Sequence, residues 1–315
     1  MTLEKINDNI FFLKGLRSSN IYYFNYEKKA IIDSGYFEEF DNNYKTFLEN
    51  GVDLKNIDYI INTHSHGDHN GGNAALKKLN PKIKVLSSNE TKNFQNRRNK
   101  MNLFSDSEDA FEYYEVENEL EEGEIVDLGG EKLKILKTKG HTTDSISIYV
   151  ENMNVLFSGD CVYNKVVVQL DYYQDLKISL NELFSTYEKL SKLDIKTIYT
   201  GHGDPIANPS ENFSYCMRKM RRFEKDMELA LINNLIPSVQ FFISKIESNE
   251  RTIIVKNIYD NLIKLKKIID IDENKFNKII EKTISLMRLL NIIKVEGDKI
   301  FLASKLNEYF GNISN

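Results

Sequence analysis

Histidine is the residue that most constrains this chain. Five histidines occur in 315 residues, and all five stand in three short motifs. His64, His66 and His69 belong to T-H-S-H-G-D-H-N-G-G (63–72), His141 to K-G-H-T (139–142) and His202 to T-G-H-G (200–203). Two aspartates accompany them: Asp68 inside the first motif and Asp160 in F-S-G-D-C (157–161). Residues 57–61, 133–136, 155–157 and 197–199 form short apolar, β-branched or aromatic runs just ahead of these motifs. Such runs, closed by Gly or Asn, read as buried strands that end in loops. Four strands then deliver the candidate side chains near their carboxyl ends, where layered α/β cores gather their chemistry. Five imidazoles and two carboxylates suffice for two divalent metals. This donor set suits zinc, with iron or manganese as competitors.

In this order, T-H-S-H-G-D-H-N-G-G, G-H-T, S-G-D and G-H-G resemble the metallo-β-lactamase superfamily. The resemblance extends over about residues 1–208 and includes Asn20-Ile21-Tyr22-Tyr23 and Ala30-Ile31-Ile32-Asp33-Ser34-Gly35. It implies an α/β fold, a four-layer αβ/βα sandwich with a metal pair between two sheets. It also implies the assignment of ligands: His64, His66 and His141 to one metal, Asp68, His69 and His202 to the other, and Asp160 as the bridge. Asp68 is in addition a catalytic candidate, orienting the attacking hydroxide. Outer support is expected from backbone carbonyls and from Asp33, Thr63 or Thr142.

Composition fits a soluble enzyme: 41% hydrophobic and 28% charged residues support a sizeable core. The opening residues contain no long apolar run, so neither a signal peptide nor a membrane span is expected. Two cysteines do not suggest a disulfide framework, and the expected compartment is the cytoplasm. Cys161, next to Asp160 on an extended segment, points elsewhere and reads as packing.

The periodicity divides the chain into a catalytic domain, 1–208, and a smaller, mostly helical domain, 209–315. In the first part, helices are predicted over Tyr36–Asn50, stopping at Gly51, and over Leu176–Leu193. In the second, one long helix is predicted over Phe213–Asn234, stopped before Pro237. Further helices follow at Val239–Ile246, Ile253–Leu265 and Lys275–Leu290, then a hairpin through Glu296-Gly297-Asp298-Lys299. Helices closed by one hairpin resemble a winged-helix domain. With no histidine, the second part is expected to pack on the first without completing the metal site.

Charge is uneven. Residues 1–209 carry 24 basic and 33 acidic side chains, and residues 210–315 carry 18 and 14. The basic groups of the second part include Arg218, Arg221, Arg222, Lys266, Lys267 and Lys294. Asp106–Glu124 holds ten acidic residues and no basic one, after Lys92, Arg97, Arg98 and Lys100. It reads as a solvated loop or as an acidic helix, Ser107–Leu120, turning Phe111 and Tyr114 inward. At the mouth of a site such a segment would repel polyanions.

The leading expectation for function is a dinuclear zinc hydrolase, with two Zn²⁺ per chain. A metal-bridging hydroxide would cleave a small ester, thioester or lactone, in chemistry similar to that of hydroxyacylglutathione hydrolase. With all five histidines engaged, protonation of the leaving group falls to water, Asp68, Tyr163 or Tyr172, which favours thiolates and carboxylates. Tyr163 is also the candidate substrate-binding residue. A small molecule is the expected partner. One alternative is a phosphodiesterase on single-stranded RNA, because Phe157–Cys161, Asp171-Tyr172-Tyr173 and Ser179-Leu180 resemble lactamase-like endoribonucleases with a helical tail. A second alternative is a mononuclear iron oxidoreductase of the persulfide dioxygenase type.

Overall fold

The structure, a computed structural model, describes residues 3–15, 18–101, 114–245, 249–262 and 272–303. Among these, two mixed sheets form the centre. The first runs in chain order: β1 (Leu3–Lys5), β2 (Ile10–Leu13), β3 (Ile21–Asn25), β4 (Lys29–Ile32), β5 (Tyr59–Ile61), β6 (Lys84–Ser88) and β7 (Asn118–Leu120). Strands β1 to β4 pair antiparallel, and β4 to β7 pair parallel. The second sheet is built from β8 (Ile125–Asp127), β9 (Lys132–Lys137), β10 (Ile146–Val150), β11 (Val155–Gly159) and β12 (Thr197–Thr200). Its neighbours follow the order β12-β11-β10-β9-β8, antiparallel except for the parallel pair β11–β12.

Strand alternation sorts apolar side chains between two faces. On β3, Tyr22 and Phe24 enter the layer between the sheets with Ile135, Ile146, Ile148 and Phe157 of the second sheet. The intervening Ile21 and Tyr23 turn outward, against Phe47 of α1 (Phe40–Glu49) and Leu76 of α3 (Asn73–Leu79). A period of two with both faces buried is what a sheet covered on both sides requires. The outer face of the second sheet, with Leu136, Tyr149, Leu156 and Ile198, is covered by Leu180, Leu183, Tyr187 and Leu190 of α5 (Leu176–Leu190). Helix, sheet, sheet, helix is the expected four-layer sandwich.

The helix that follows, α6 (Pro209–Lys225), adds Phe213, Cys216, Met220 and Phe223 to that same outer cluster. A separate core joins α7 (Met227–Lys245), α8 (Arg251–Leu262), α9 (Glu273–Leu289) and the hairpin β13 (Ile293–Glu296) with β14 (Lys299–Leu302). The C-terminal helical region is therefore present, with its hairpin. No helix among the described residues is long and apolar enough to cross a membrane.

Two helix expectations need correction. The segment predicted as one helix from Phe213 to Asn234 is two, broken at Asp226, whose backbone leaves the helical region (φ −141°, ψ 90°). The Asp226 carboxylate accepts from the N–H groups of Glu228 and Leu229, so the residue that ends α6 also starts α7. Pro237 does not stop the second helix. It lies inside α7, which absorbs the separate helix predicted over Val239–Ile246. The first half of the acidic helix Ser107–Leu120, Phe111 with it, falls outside the described residues. Its end is not helical: 118–120 form β7 at the edge of the first sheet. Lys266 and Lys267 also lie outside the described residues.

Candidate metal centre

Each predicted strand delivers its motif. His64 and His66 follow β5, and His69 lies on the short helix α2 (Gly67–Asn70) that the same loop starts. His141 follows β9, Asp160 directly follows β11, and His202 follows β12. The loops converge, and all seven candidate ligands fall into three groups able to hold a metal: His64/His66/His141, Asp68/His69/His202 and His64/His69/Asp160. Ligand atoms within each group lie within 4.8 Å of one another.

The distances suit a cation. His66 Nδ1 stands 3.0 Å from His64 Nε2 and 3.1 Å from His141 Nε2. Nitrogens about 2.0–2.1 Å from a tetrahedral ion stand roughly 3.3–3.4 Å apart, so this trio is close to ligand spacing. In the second group His202 Nε2 lies 3.0 Å and His69 Nε2 3.8 Å from Asp68 Oδ2. Asp160 faces both groups: Oδ1 is 3.1 Å from His69 Nε2, and Oδ2 is 3.7 Å from both His141 Nε2 and His202 Nε2. His69 Nε2 and Asp160 Oδ1 are buried and neither makes a hydrogen bond, which fits a pair of atoms that share a cation. Gly201 is required beside them. A Cβ there would come within 2.1 Å of Asp160 Oδ1 and 2.8 Å of the His69 ring.

Protonation follows the same division. Burial, reinforced by His141, holds His66 down at about 3, and burial with His69 and His66 holds His64 well below its ordinary range. Burial lowers His141 too. Burial opposes ionisation of Asp68, but His69 and His202 outweigh it and hold the carboxyl at about 2. Asp160 is held well below the carboxylate range against its burial, chiefly by His69 and His202. The neutral imidazoles of His64, His66 and His141 and the two ionised carboxylates are in the forms that bind metal, whereas Asp160 and its neighbouring carboxylates raise His69 and His202 against their burial, so that a metal there would take the place of a proton.

An outer ring of partners aims the ligands. His69 Nδ1 donates to Asp33 Oδ2 at 2.7 Å. The same carboxylate accepts from the Thr63 N–H and hydroxyl, both at 2.8 Å, and Thr63 Oγ1 lies 3.1 Å from His64 Nδ1. Of the three outer candidates, Asp33 and Thr63 are therefore in place. Thr142 is not: its hydroxyl pairs with Ser145 at 2.6 Å. His141 Nδ1 instead donates to the main-chain carbonyl of Gln169 at 2.7 Å, a partner no side-chain pattern announces. The sequence reading also missed Asp144, buried, which accepts from Ser65 Oγ at 2.6 Å between His64 and His66. Its one signal is its place three residues after His141.

The two tyrosines separate. Tyr163 is buried beside the centre, its ring 6.3 Å from that of His202, and burial with the Asp160 charge keeps its hydroxyl protonated. Tyr172 turns the other way. Its hydroxyl donates to the Asn234 carbonyl at 2.6 Å, within the C-terminal core, so it is removed as a proton source for the site. Cys161 is buried behind Asp160 in the cluster under α5, as packing.

Residues 15–202 match the profile of the family described as the metallo-beta-lactamase superfamily. The chain is similar to the beta-lactamase-like protein 2 homolog of Caenorhabditis elegans, 28% identical over 231 residues that make up 70% of each chain. It is similar to an atrochrysone carboxyl ACP thioesterase of Pseudocercospora fijiensis (strain CIRAD86), 25% identical over 59% of this chain and 47% of the relative. It is similar to a hydroxyacylglutathione hydrolase of Prochlorococcus marinus (strain NATL1A), 28% identical over 50% of this chain and 55% of the relative. The chain thus spans about half the length of the last two. Among solved structures, a metallo-beta-lactamase family protein of Thermus thermophilus shares the fold, with a TM-score of 0.61 and 16% identity over 95% of this chain and 100% of that one.

Proposed function

The chain belongs to the metallo-β-lactamase superfamily of hydrolases, and from that premise we propose that it hydrolyses a small thioester or related ester or lactone, using two zinc ions. His64, His66 and His141 would hold one ion, Asp68, His69 and His202 the other, and Asp160 both. What such ions supply is Lewis acidity and a water that ionises near neutral pH. Asp68 would orient the attacking water as well as ligate.

One observation carries the choice of substrate. All five histidines point into the metal-holding groups, so no imidazole is left to protonate a leaving group. The phenol of Tyr163, kept protonated, is the donor next to Asp160. It suits a hydrogen bond to the carbonyl oxygen of a bound acyl group, and its high pKa makes it a poor proton donor to a strongly basic alkoxide. A thiolate departs without such help. Two relatives bear names of this chemistry, a hydroxyacylglutathione hydrolase and an acyl-carrier-protein thioesterase. The setting we propose is the cytoplasm, consistent with two buried thiols that form no disulfide.

A second reading, cleavage of single-stranded RNA, rests on the exposed Arg218 and Arg222 of α6 and on the positive balance of residues 210–315. The test is a hydrolysis panel on zinc-loaded protein: acyl thioesters, aryl esters, lactones and single-stranded RNA. Thioesters turned over best supports the proposal. RNA cleavage that weakens steeply with salt, with thioesters untouched, supports the second reading instead. One iron per chain and oxygen uptake on persulfides would sink both.

A further inference from the structure

We infer that α7, which contributes no metal ligand, positions His141 through the main chain of residues 169–171, with Asn234 as the residue that holds that segment. The inference rests on the reading of His141 as a ligand.

Three consecutive residues carry the argument. The Gln169 carbonyl accepts from His141 Nδ1 at 2.7 Å. The Asp171 N–H donates to the carbonyl of Gly140 at 3.1 Å, one residue before the histidine. Between them Leu170 turns to the other side, where the Asn234 side chain takes both of its peptide groups. Asn234 Oδ1 accepts from the Leu170 N–H, and Nδ2 donates to its carbonyl at 3.1 Å. The Asn234 amide carries a donor and an acceptor side by side and so pairs one residue's N–H and C=O together, much as a neighbouring strand would.

The attachment continues along one face of α7. Gln169 Nε2 donates to the Asn234 carbonyl at 3.2 Å and to Ser238 Oγ at 3.1 Å. Asn233 Nδ2 donates to the Val167 carbonyl at 3.0 Å. The Tyr172 hydroxyl adds its bond to the Asn234 carbonyl. Pro237 falls at this turn. It offers no N–H to the carbonyl four residues back, and donors from the 169–172 segment converge on the adjoining Asn234 carbonyl. Asn234 is fully buried and Ser238 nearly so, hence water does not replace these bonds when they are lost.

A histidine ligand is effective only with its ring fixed and its other nitrogen paired, and loss of such outer partners lowers metal affinity by about 10–100-fold. The measurement is a stepwise zinc competition titration of the metal-free full chain against a chromophoric chelator. Asn234→Ala should weaken one of two zinc equivalents by about 10–100-fold and leave the other unchanged. The weakened equivalent should be the one abolished by His141→Ala. Gln169→Ala and Ser238→Ala should act in the same direction with smaller effect. Asp272→Ala supplies the control. It removes the carboxylate that accepts from the Lys275 N–H at the start of α9, and should lower stability without moving either equivalent.

If Asn234→Ala does not fold, Gln169→Ala decides: a selective loss supports the inference, and an unchanged titration overturns it. Equal weakening of both equivalents, or the same loss in Asp272→Ala, also overturns it while the metal reading stands. Wild-type protein that takes up no zinc overturns the reading of the site, and this inference with it.

Discussion

Asp160 is the side chain that faces both the His64/His66/His141 and the Asp68/His69/His202 groups, with Oδ1 toward His69 and Oδ2 toward His141 and His202. Asp160→Ala is therefore expected to lower kcat/KM on the best thioester by about 10²-fold or more, since it would disturb the ligands of both proposed ions. Tyr163→Phe removes one hydrogen-bond donor and should cost clearly less. Steady-state kinetics on the two variants checks the order, and near-normal turnover in Asp160→Ala would refute the shared-ligand assignment. The cysteines offer a second check at this scale. Burial pushes the thiols of Cys161 and Cys216 up to about 12, and both are closed to solvent. An aromatic disulfide reagent at neutral pH should label neither in the folded protein and both after denaturation. Rapid labelling of one thiol under native conditions would contradict their placement. The seven candidate ligands were legible because histidine is rare here and confined to motifs. Their supports were not. Asp33, Thr63 and Thr142 are equivalent on paper, and only the fold brings the first two against His69 and His64. The Gln169 carbonyl has no side-chain signature at all.

The four strands ahead of the motifs were legible as elements because short apolar, β-branched or aromatic runs closed by Gly or Asn read as buried strands that end in loops. The long C-terminal helix was misread for two local reasons. Asp226 sits in an unbroken helical stripe, and only its backbone shows that it caps one helix while ending another. Pro237 reads as a stop, yet α7 passes through it, and the side chains of 169 and 172 donate to the neighbouring Asn234 carbonyl. At β7 an acidic stretch with helical aromatic spacing yields its last residues to the sheet edge beside β6. Capping offers the cleanest test of an element. Asp175 Oδ1 accepts from the N–H groups of Lys177 and Ile178 at the start of α5, the helix that covers the second sheet. Asp175→Ala should lower unfolding stability by about 1 kcal/mol with an unchanged denaturant slope. An unchanged midpoint in urea would show that the cap contributes nothing.

Across the whole molecule, the two sheets supply a rigid frame and their loops supply the chemistry, so the family was readable from order and spacing alone. The relation between the two parts of the chain was not. A tail without histidine gives no hint that its second helix grips the segment behind His141, because the bonds that carry that grip involve main chain or an ordinary amide. The basic balance of the tail carries a separate expectation. Arg218, Arg221 and Arg222 are all exposed on α6, and Arg221 also lies over the Phe184 ring of α5. Charge reversal as Arg218→Glu with Arg222→Glu should leave thioester turnover unchanged at any salt concentration. A large loss of activity, or a salt dependence that disappears in the double variant, would favour a polyanionic substrate. The most direct measurement is metal content read against activity: metal-free protein titrated with zinc, with thioester hydrolysis followed at each addition. Activity that rises to a plateau at two zinc ions per chain, and a second equivalent lost in Asp160→Ala, is the expected result. Saturation at one ion, or full activity in metal-free protein, would contradict the shared dinuclear centre.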